Sequence, residues 1–229
     1  MNLERYQRHF LVEGFTKEQQ NRLFNSSVLV AGAGGLGSAL LLYLAAAGVG
    51  HLGIIDFDLV SKSNLNRQIL YTPSDEGKYK CDEAAKRVKE LNPECKVTLF
   101  NCKLDRLNGD DIVKDFDVVA DATDNFSTRY ILDDICFKMR KPLVYGTAEQ
   151  WGGQVSVFHY DGAAGYKDLY PQPPAGGENP PGVIGPTPGY IGTRQSVEVL
   201  KIITGCGEVL SGKLLVVDLL NNCDTVFTI

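Results

Sequence analysis

The chain has 229 residues, of which 44% are hydrophobic and 22% charged, a composition typical of a globular protein with a substantial core. Its 23 Lys and Arg against 28 Asp and Glu give a formal net charge of −5, which argues against a nucleic-acid or anionic-membrane partner. The polar start lacks a secretory signal, the apolar run at residues 39–49 is too short to span a bilayer, and the 6 cysteines form no Cys-x-x-Cys pair. We therefore expect a soluble cytoplasmic protein with reduced cysteines.

Predicted strands and helices alternate through the first two-thirds of the chain. A polar, helical arm reaches to about Leu23, and the continuously apolar residues 28–31 then predict a buried strand. A glycine-rich loop, a helix at 38–47 and a second buried strand at 52–55 complete a βαβ unit. Further elements are predicted as a helix at 81–91, strands at 96–100 and 116–121, a helix at 126–139 and a strand at 142–145. This alternation predicts a doubly wound, Rossmann-like α/β fold with a mainly parallel sheet.

The later part of the chain predicts a different arrangement. Residues 154–159 alternate in polarity, and 214–218 and 225–229 look like strands, so we expect antiparallel strands at the C-terminal edge of the sheet. The stretch 162–189 contains seven prolines and can be neither regular helix nor central strand. A loop of this length in a compact domain is usually functional or disordered. Helical periodicity returns at 191–203.

A glycine-rich loop, Gly32-Ala33-Gly34-Gly35-Leu36-Gly37, stands directly between the first predicted strand and the helix after it. In that context its four glycines let the backbone approach a phosphate at a helix N-terminus, where N–H groups and the helix dipole favour an anion. Asp56 ends the second strand 19 positions after the last glycine, where an acidic residue would bind ribose hydroxyls. The alternative is a tight turn that only packs the helix on the strand.

Two cations after the second strand indicate which nucleotide would be bound. Transfer of an α-phosphoryl group requires positive charge near the phosphates and the departing pyrophosphate, and Arg67 and Lys80 are candidates for it. Lys80 lies at the start of a predicted helix, where a lysine opposes the dipole, so a functional reason is more plausible than for an ordinary surface lysine. Taken alone, each side chain would be interpreted as a solvated surface cation.

The strand at 116–121 is followed by Ala122-Thr123-Asp124-Asn125. Ligands in doubly wound sheets gather outside the carboxyl ends of the strands, so we expect Asp124 and Asp56 to face the same crevice. A carboxylate beside triphosphate oxygens makes sense chiefly through Mg²⁺, and Asp124 is the better metal ligand. One of Asp121, Thr123 and Asp124 is expected to cap the next helix.

These motifs occur together and in order. They are Arg5-Tyr6-x-Arg8, the glycine loop, Asp56-x-Asp58-x-Val60-x-x-Ser63-Asn64-Leu65-x-Arg67-Gln68, Gly77-x-x-Lys80, Asp124-Asn125-x-x-x-Arg129, Leu169-Tyr170-Pro171-Gln172-Pro173-Pro174, Gly182-Val183-Ile184-Gly185-Pro186 and Gly192-x-x-Gln195. Any one motif would be weak evidence. The ordered set, from about Arg5 to the C-terminus, resembles the ThiF/MoeB/HesA family, the bacterial branch of the ubiquitin-activating-enzyme superfamily.

The resemblance implies an ATP-dependent adenylyltransferase. Its substrate would be a small ubiquitin-like sulfur carrier of the ThiS or MoaD type ending in Gly-Gly, whose terminal carboxylate attacks the α-phosphate to give an acyl-adenylate and pyrophosphate. The activated carboxyl would serve thiamine, molybdopterin or related sulfur-transfer biosynthesis. Because a carboxylate is already ionised at neutral pH, adenylation needs no protein nucleophile or base, and positioning and charge neutralisation suffice.

The resemblance also implies a role for each motif. Asp56 would hold the ATP ribose, and Gly32, Gly34, Gly35 and Gly37 the phosphates. Arg67 and Lys80 would contact the triphosphate and Asp124 would carry Mg²⁺, with nucleotide contacts added by Asp58, Asn64 and Asn125. Family members are homodimers, and Arg8 would reach into the neighbouring subunit's site. The single adenylation domain, 1–229, would comprise an N-terminal arm at 1–24, a nucleotide-binding half at 25–150, and a carrier-binding and dimer half at 151–229 with its crossover loop at about 162–189.

Two departures from the family pattern bear on metal and covalent chemistry. Family members commonly bind structural zinc through two Cys-x-x-Cys pairs; both cysteines of the first are missing at Gly165-Tyr166-Lys167-Asp168, and only Cys223 stands near the expected second. Zinc is not expected, since a closed site needs four ligands. The cysteine that relatives often carry in the crossover loop has no counterpart in residues 177–181, which argues against a covalent enzyme intermediate.

Other functions fit parts of the pattern. The same fold could adenylate a peptide C-terminus or the threonylcarbamoyl group of a tRNA, although the acidic charge disfavours the tRNA. An NAD-dependent oxidoreductase could use the same glycine loop, but Arg67, Lys80 and Asp124 would then have no purpose. A scaffold that binds a ubiquitin-like protein without activating it would not need the phosphate-handling residues.

Overall fold

The computed structural model describes residues 3–173 and 182–229. The predictions made for residues 177–181, and the middle of the crossover loop, lie outside the described residues. In the part of the chain that is described, no helix combines the length and apolar composition needed to cross a membrane.

Eight strands form one mixed sheet in the order β3-β2-β1-β4-β5-β6-β7-β8. Their bounds are β1 Ser27–Ala31, β2 His51–Ile55, β3 Lys96–Phe100, β4 Val118–Asp121, β5 Leu143–Glu149, β6 Gly152–Phe158, β7 Lys213–Asp218 and β8 Cys223–Thr228. Strands β1 to β5 pair in parallel, whereas β6, β7 and β8 pair antiparallel. The predicted doubly wound sheet with antiparallel strands at its C-terminal edge is confirmed.

Helices cover both faces of the parallel strands. Their bounds are α1 Lys17–Phe24, α2 Gly35–Ala47, α3 Lys80–Leu91, α4 Gly109–Val113, α5 Phe126–Met139, α6 Tyr166–Leu169 and α7 Pro186–Thr204. One core, which includes Leu40 and Val199, packs α2, α3 and α7 against one face, and a second, which includes Ile112 and Leu132, packs α4 and α5 against the other. Burial of β1 from both sides explains its continuously apolar sequence.

The strand order reverses between β1 and β4. The chain winds outward from β1 through β2 to β3, then returns to place β4 on the other side of β1. The loops that follow β1 and β4 therefore separate toward opposite faces and leave a crevice at their carboxyl ends. Backbone bonds from Gly32 N to Ile55 O and from Ala122 N to Ala31 O, both 2.8 Å, hold the two loops at this edge.

The helices differ from the predictions at α2, α4, α6 and α7, and α4 was not predicted. α2 begins at Gly35 and α7 at Pro186, earlier than predicted, and α6 is a short helix inside the predicted crossover loop. Pro186 and Pro188 belong to the first turn of α7, where a missing N–H breaks no helical bond. A proline-rich stretch therefore begins this helix instead of preceding it.

The N-terminal arm packs at the end of α2 that is remote from the glycine loop. Gln20 Nε2 donates to Ala47 O at 3.0 Å, and His9 Nδ1 lies 2.8 Å from Gln20 Oε1. Tyr6 is 1% exposed, and a Cβ atom on Gly48, the C-cap of α2, would lie 2.9 Å from its ring. His9 therefore hydrogen bonds within the N-terminal arm. Only α1 is α-helical here, because the residues before it form two short 3₁₀ turns.

Candidate functional site

The glycine loop is built by backbone angles and close contacts that exclude side chains. Gly32 has φ +98°, and a Cβ atom there would lie 2.6 Å from Ala122 O in the loop after β4. A Cβ on Gly35 would lie 2.9 Å from the Pro188 side chain, and one on Gly37 would collide with the carbonyl of Gly32. The loop is therefore a closely packed, half-buried turn, and the packing interpretation holds for Gly35 and Gly37 without excluding a ligand.

The N-terminus of α2 opens directly from this loop. Its N-cap is Gly34, and in the described residues no side chain caps the first turn. The first N–H groups of a helix have no partner within the helix, and they carry the positive end of its dipole. An uncapped N-terminus at a glycine loop is therefore suited to bind phosphate.

Asp56 joins the glycine loop to the end of β2. Its Oδ2 accepts from Ala33 N and its Oδ1 from Asp58 N, both at 2.8 Å. Burial raises the pKa of Asp56, while the nearby Lys80 charge and the two backbone donors act in the opposite direction. Each carboxylate oxygen keeps a lone pair for a further donor such as a ribose hydroxyl.

Lys80 is not a solvated surface cation. It is 5% exposed, and its Nζ lies 2.7 Å from Asp58 Oδ2, which brings two of the predicted site residues together. Tyr71, which the sequence analysis left unassigned, donates from its hydroxyl to Ala33 O at 2.7 Å and contacts Lys80 O at 3.3 Å. Because Tyr71 is buried, it fixes the start of α3 to the glycine loop, and with it the lysine.

Arg67 lies on a turn that contacts the far side of the loop. Its Nη1 donates to Ser63 O at 2.9 Å and to Asn66 Oδ1 at 3.0 Å. Asn64 makes the turn, since its carbonyl accepts from the N–H groups of Arg67 and Gln68. Gln68, 5% exposed, is a further residue that the sequence analysis did not assign, and its Nε2 is the nearest atom to a Cβ on Gly34, at 3.5 Å.

Asp124 lies exposed in the loop after β4, at the same edge of the sheet as Asp56. The expectation that Asp121, Thr123 or Asp124 caps α5 is wrong, because Asn125 is the N-cap and accepts from Thr128 N at 2.9 Å. Asp121 is instead buried, and its Oδ1 accepts from the N–H and hydroxyl of Thr123. Capping by Asn125 leaves the Asp124 carboxylate directed outward as a candidate ligand.

Two buried side chains that the sequence analysis quoted but did not assign support this loop. Gln195, fully buried on α7, donates from Nε2 to Asp121 O at 2.7 Å and to Val144 O at 3.2 Å, and so ties the ends of β4 and β5. Arg129, 5% exposed on α5, donates from Nη2 to Thr123 O at 2.8 Å and to Thr147 Oγ1 at 3.1 Å. Apart from the bond between Arg129 and Thr123, these bonds join positions far apart in the chain, which no local pattern reveals.

An open groove of about 470 Å³ adjoins the site at the ends of β5, β6 and β7. Thr147 lines its inner end and accepts from Arg129, so the groove begins next to the loop that carries Asp124. Trp151 and Leu220 are exposed apolar side chains in its wall. Next to it, Gly182 and Ile184 form backbone bonds with Gln150, and Gly185 packs against the Asn66 carbonyl.

Arg8 does not join the other predicted site residues within one chain. It lies in the arm, at the end of α2 opposite the glycine loop, and is exposed. The 13 residues of α2 separate the two positions by about 20 Å. A role for Arg8 would therefore require a second subunit.

The metals implied by the resemblance differ in how well the structure accommodates them. In residues 3–173 and 182–229, no group of three or more His, Cys, Asp or Glu side chains is placed to hold a metal ion. Mg²⁺ needs no such group, because one carboxylate, substrate phosphates and water can complete its coordination, and Asp124 fits that pattern. Zinc does not fit at Gly165, where a Cβ atom would lie 2.5 Å from His159 Cε1 and 2.8 Å from Asp133 Oδ1.

All six cysteines are unpaired. Cys136 is fully buried in α5, and burial raises the pKa of its thiol. Burial also raises the pKa of the Cys81 thiol, beneath Asp56, to about 12. Such thiols are packed side chains and poor nucleophiles at neutral pH.

Two curated proteins similar to this chain are both named adenylyltransferases. A probable molybdopterin-synthase adenylyltransferase of Porphyra purpurea is 45% identical over 218 residues, covering 92% of this chain and 56% of that protein. A probable adenylyltransferase/sulfurtransferase MoeZ of Mycobacterium tuberculosis is 42% identical over 233 residues, covering 98% of this chain and 59% of that protein. The chain thus spans somewhat more than half the length of these two curated relatives.

Solved structures and the family profile agree with this likeness. The structure of E. coli MccB with MccA-N7isoASN superposes with a TM-score of 0.89 at 20% identity, covering 99% of this chain and 72% of that one, which supports the fold alone. The structure of SeMet PaaA superposes with a TM-score of 0.85 at 26% identity, covering 99% of this chain and 73% of that one. The profile of the ThiF family matches residues 6–228, nearly the whole chain. With this match, the sheet topology and the glycine loop described above, the chain belongs to the ThiF family.

Proposed function

We propose that this protein is an ATP-dependent adenylyltransferase that activates the C-terminal glycine carboxylate of a small ubiquitin-like sulfur carrier. The observation that carries the proposal is the uncapped N-terminus of α2 at the glycine loop, with buried Lys80 and exposed Asp124 at the same edge of the sheet. A dinucleotide would use the loop, but it offers no triphosphate for Lys80 to neutralise. The names of the similar proteins support the same activity.

The reaction requires the protein to hold two anions in line. The carrier carboxylate oxygen forms a bond to the α-phosphorus, the bond from that phosphorus to the bridging oxygen breaks, and pyrophosphate leaves with the electron pair. The α2 N-terminus would hold phosphate oxygens, Asp56 the ribose, and Arg67 and Lys80 the charge that develops on pyrophosphate. Asp58 would release Lys80 to the phosphates, while Asn64 and Asn125 would hold the two flanking turns. Asp124 would hold Mg²⁺, which supplies further charge neutralisation on the phosphates.

The groove at the ends of β5, β6 and β7 is suited to receive the carrier's C-terminal tail. It is open to solvent, it adjoins the Asp124 loop through Thr147, and its wall offers the exposed Trp151 ring for packing. An extended tail of about four residues would cross roughly 13 Å of it. The body of the carrier would then lie against the antiparallel strands, where Phe227 is 51% exposed. The carrier's pathway is molybdopterin, thiamine or related sulfur-transfer biosynthesis, in the cytoplasm.

ATP–pyrophosphate exchange tests this function directly. We expect purified protein to exchange labelled pyrophosphate into ATP when a MoaD-type or ThiS-type carrier ending in Gly-Gly is added, and not with the same carrier lacking its last two residues. Asp124→Ala should lower exchange about 100-fold or more, because it removes charge stabilisation at the reacting phosphates, while the exposed Asp115→Ala should retain it. If neither type of carrier supports exchange, the proposal is refuted. If a short peptide supports exchange and the carriers do not, the peptide alternative is favoured.

A further inference from the structure

Helix α5 carries two buried ionic side chains one turn apart that reach in different directions. Arg129 contacts Thr123 and Thr147 in the candidate site. Asp133, 4% exposed, reaches the segment that follows β6 and leads toward the crossover loop. The proposed adenylation assigns no task to Asp133, and neither does any motif in the sequence.

The Asp133 carboxylate collects three donors from that segment. Its Oδ1 accepts from Tyr166 N at 2.7 Å and lies 2.7 Å from His159 Nε2, and its Oδ2 accepts from Lys167 N at 3.3 Å. Tyr166 and Lys167 open α6, so the carboxylate satisfies N–H groups that a helix start leaves unpaired. Asp133 therefore determines where this helix begins and how it is oriented.

The same segment is connected to the candidate site by Tyr166. This side chain is 1% exposed, its ring packs against Tyr130 and Tyr145, and the Arg129 guanidinium lies over the Tyr145 ring, 5.4 Å from its centroid. Arg129 in turn holds Thr123 and Thr147. Asp133 thus holds the segment through its backbone, and Arg129 adjoins it through the packed rings of Tyr145 and Tyr166.

This anchor occupies the place where the family pattern has its first cysteine pair, Gly165 and Asp168. A Cβ atom on Gly165 would lie within 3 Å of both His159 and Asp133, so the carboxylate and imidazole fill the space a cysteine would need. Asp168 accepts from Gly165 N at 2.7 Å and closes the turn. Side-chain hydrogen bonds therefore perform here what a metal would otherwise do.

We propose that Asp133 is a positioning residue: it anchors the entrance of the crossover loop without a metal and thereby sets how the carrier's tail reaches the site. The link to the groove is Tyr170, directly after α6, whose hydroxyl donates at 2.7 Å to Oε1 of Gln154 in the groove lining. The exit of that loop is held independently, since Gly182 O accepts from Gln150 N at 2.7 Å and Gly185 packs on Asn66. Loss of the anchor frees the entrance alone. The glycine loop, Asp56 and Lys80 lie on other elements than α5, so carrier binding is affected more strongly than ATP binding. The kinetic consequence rests on the proposed function, whereas the effect on α6 does not.

Hydrogen exchange on the purified full chain tests the anchor itself. We expect the amides of Tyr166 and Lys167 to exchange at least tenfold faster in Asp133→Ala, with α2 unchanged. Asp134→Ala is the matched control, because the next residue of α5 pairs only through side chains, with Lys167 Nζ and with Arg106 Nη2. Unchanged exchange at Tyr166 and Lys167 would overturn the proposal. If Asp133→Ala fails to fold, Asp133→Asn, which keeps one acceptor oxygen, should show an intermediate increase in the exchange rate of these two amides. No increase in Asp133→Asn would equally overturn the proposal.

Kinetics and metal content test the consequences. With the carrier that supports pyrophosphate exchange, Asp133→Ala should raise the KM for carrier about tenfold and leave the KM for ATP within about twofold, as a loss of ground-state carrier binding requires. An equal rise in both values would indicate general destabilisation and overturn the positioning role. One zinc per chain in the wild-type protein by elemental analysis would overturn the metal-free anchor. If no carrier supports ATP–pyrophosphate exchange, the proposed function is refuted. The amide hydrogen exchange of Tyr166 and Lys167 would still test whether Asp133 anchors α6.

Discussion

At the scale of single residues, glycines serve two separable purposes in this chain. Gly14 and Gly32 both have positive φ, +78° and +98°, which disfavours any L-side chain. They differ in their surroundings, since no atom lies within 4 Å of a Cβ on Gly14, whereas a Cβ on Gly32 meets Ala122 O at 2.6 Å. Comparing the two glycines therefore separates the free-energy cost of a positive φ from the cost of a Cβ atom that contacts Ala122 O.

Gly32→Ala should cost more than Gly14→Ala, and only Gly32→Ala should affect the nucleotide. Backbone strain alone predicts about 1–2 kcal/mol of unfolding free energy for Gly14→Ala. Displacement of the loop after β4 adds about 1–3 kcal/mol for Gly32→Ala and moves the α2 N-terminus. Urea denaturation measures the loss of unfolding free energy in both variants. In Gly32→Ala, the dissociation constant for ATP should also rise at least tenfold. Equal stability losses with unchanged ATP affinity would show that the glycine loop tolerates a side chain.

At the scale of elements, the connection from β2 to α3 depends on one buried carboxylate. Asp75, 1% exposed, accepts from the N–H and hydroxyl of Thr72 and pairs with Lys78 and Arg87, both at 3.2 Å. Burial alone would raise the pKa of Asp75, but the hydrogen bonds from Thr72 and Lys78 outweigh it and hold the pKa far below its ordinary value. The charged form is thus the one that the fold stabilises.

This pKa shift predicts acid sensitivity. Because the folded pKa of Asp75 is depressed, the unfolded chain binds more protons at low pH, and the contribution of Asp75 is present above about pH 4 and lost as pH falls further toward the folded value. Asp75→Asn should be less stable than wild type at pH 7, and the difference should shrink between about pH 4 and pH 2. Chemical denaturation across that range measures it. The control is Asp110→Asn, a surface partner of Lys138, for which a similar pH-dependent difference would contradict the assignment to Asp75.

The elements themselves were predictable where local pattern decides them. The continuous apolar sequence of β1 and the glycines after it predicted the βαβ unit, because strand burial and the helix start depend on neighbouring residues. The start of α7 was missed because prolines at 186 and 188 look like breakers, although the first helical turn accepts them. The cap of α5 was missed because adjacent polar residues compete, and Asp121 instead binds Thr123.

The supporting part of the site could not be predicted in this way. Gln195 binds Asp121 across 74 positions of sequence, and Asp133 binds Tyr166 across 33. These pairs meet only after the sheet and its helices are assembled. Motif positions in the sequence therefore mark the residues that we propose to touch the nucleotide, and they leave unassigned the buried residues that hold them.

At the scale of the whole molecule, the position of Arg8 means that it could join the proposed active site only through assembly with a second copy. The arm is fixed to the C-terminal end of α2 by Tyr6, Gln20 and Asn92, whose Nδ2 donates to Ala45 O at 2.8 Å. The glycine loop begins the same helix at its other end, about 20 Å away. No side-chain rotation of Arg8 closes that distance, so contact with phosphates requires the arm of a second copy. In a two-fold dimer each arm would reach the other subunit's site.

Complementation between two inactive variants tests this arrangement. Arg8→Ala and Asp124→Ala should each lose pyrophosphate exchange, because each lacks one charge at the phosphates. A mixed dimer, purified through two different tags, contains one site with an intact Asp124 from one subunit and an intact Arg8 from the other, and should recover up to about half the wild-type rate. Glu13→Ala, in the same arm but uninvolved in phosphate contact, controls for disruption of the arm and should remain active throughout. If Arg8 acted within its own subunit, neither site of the mixed dimer would be complete, and verified mixed dimers would show no recovery.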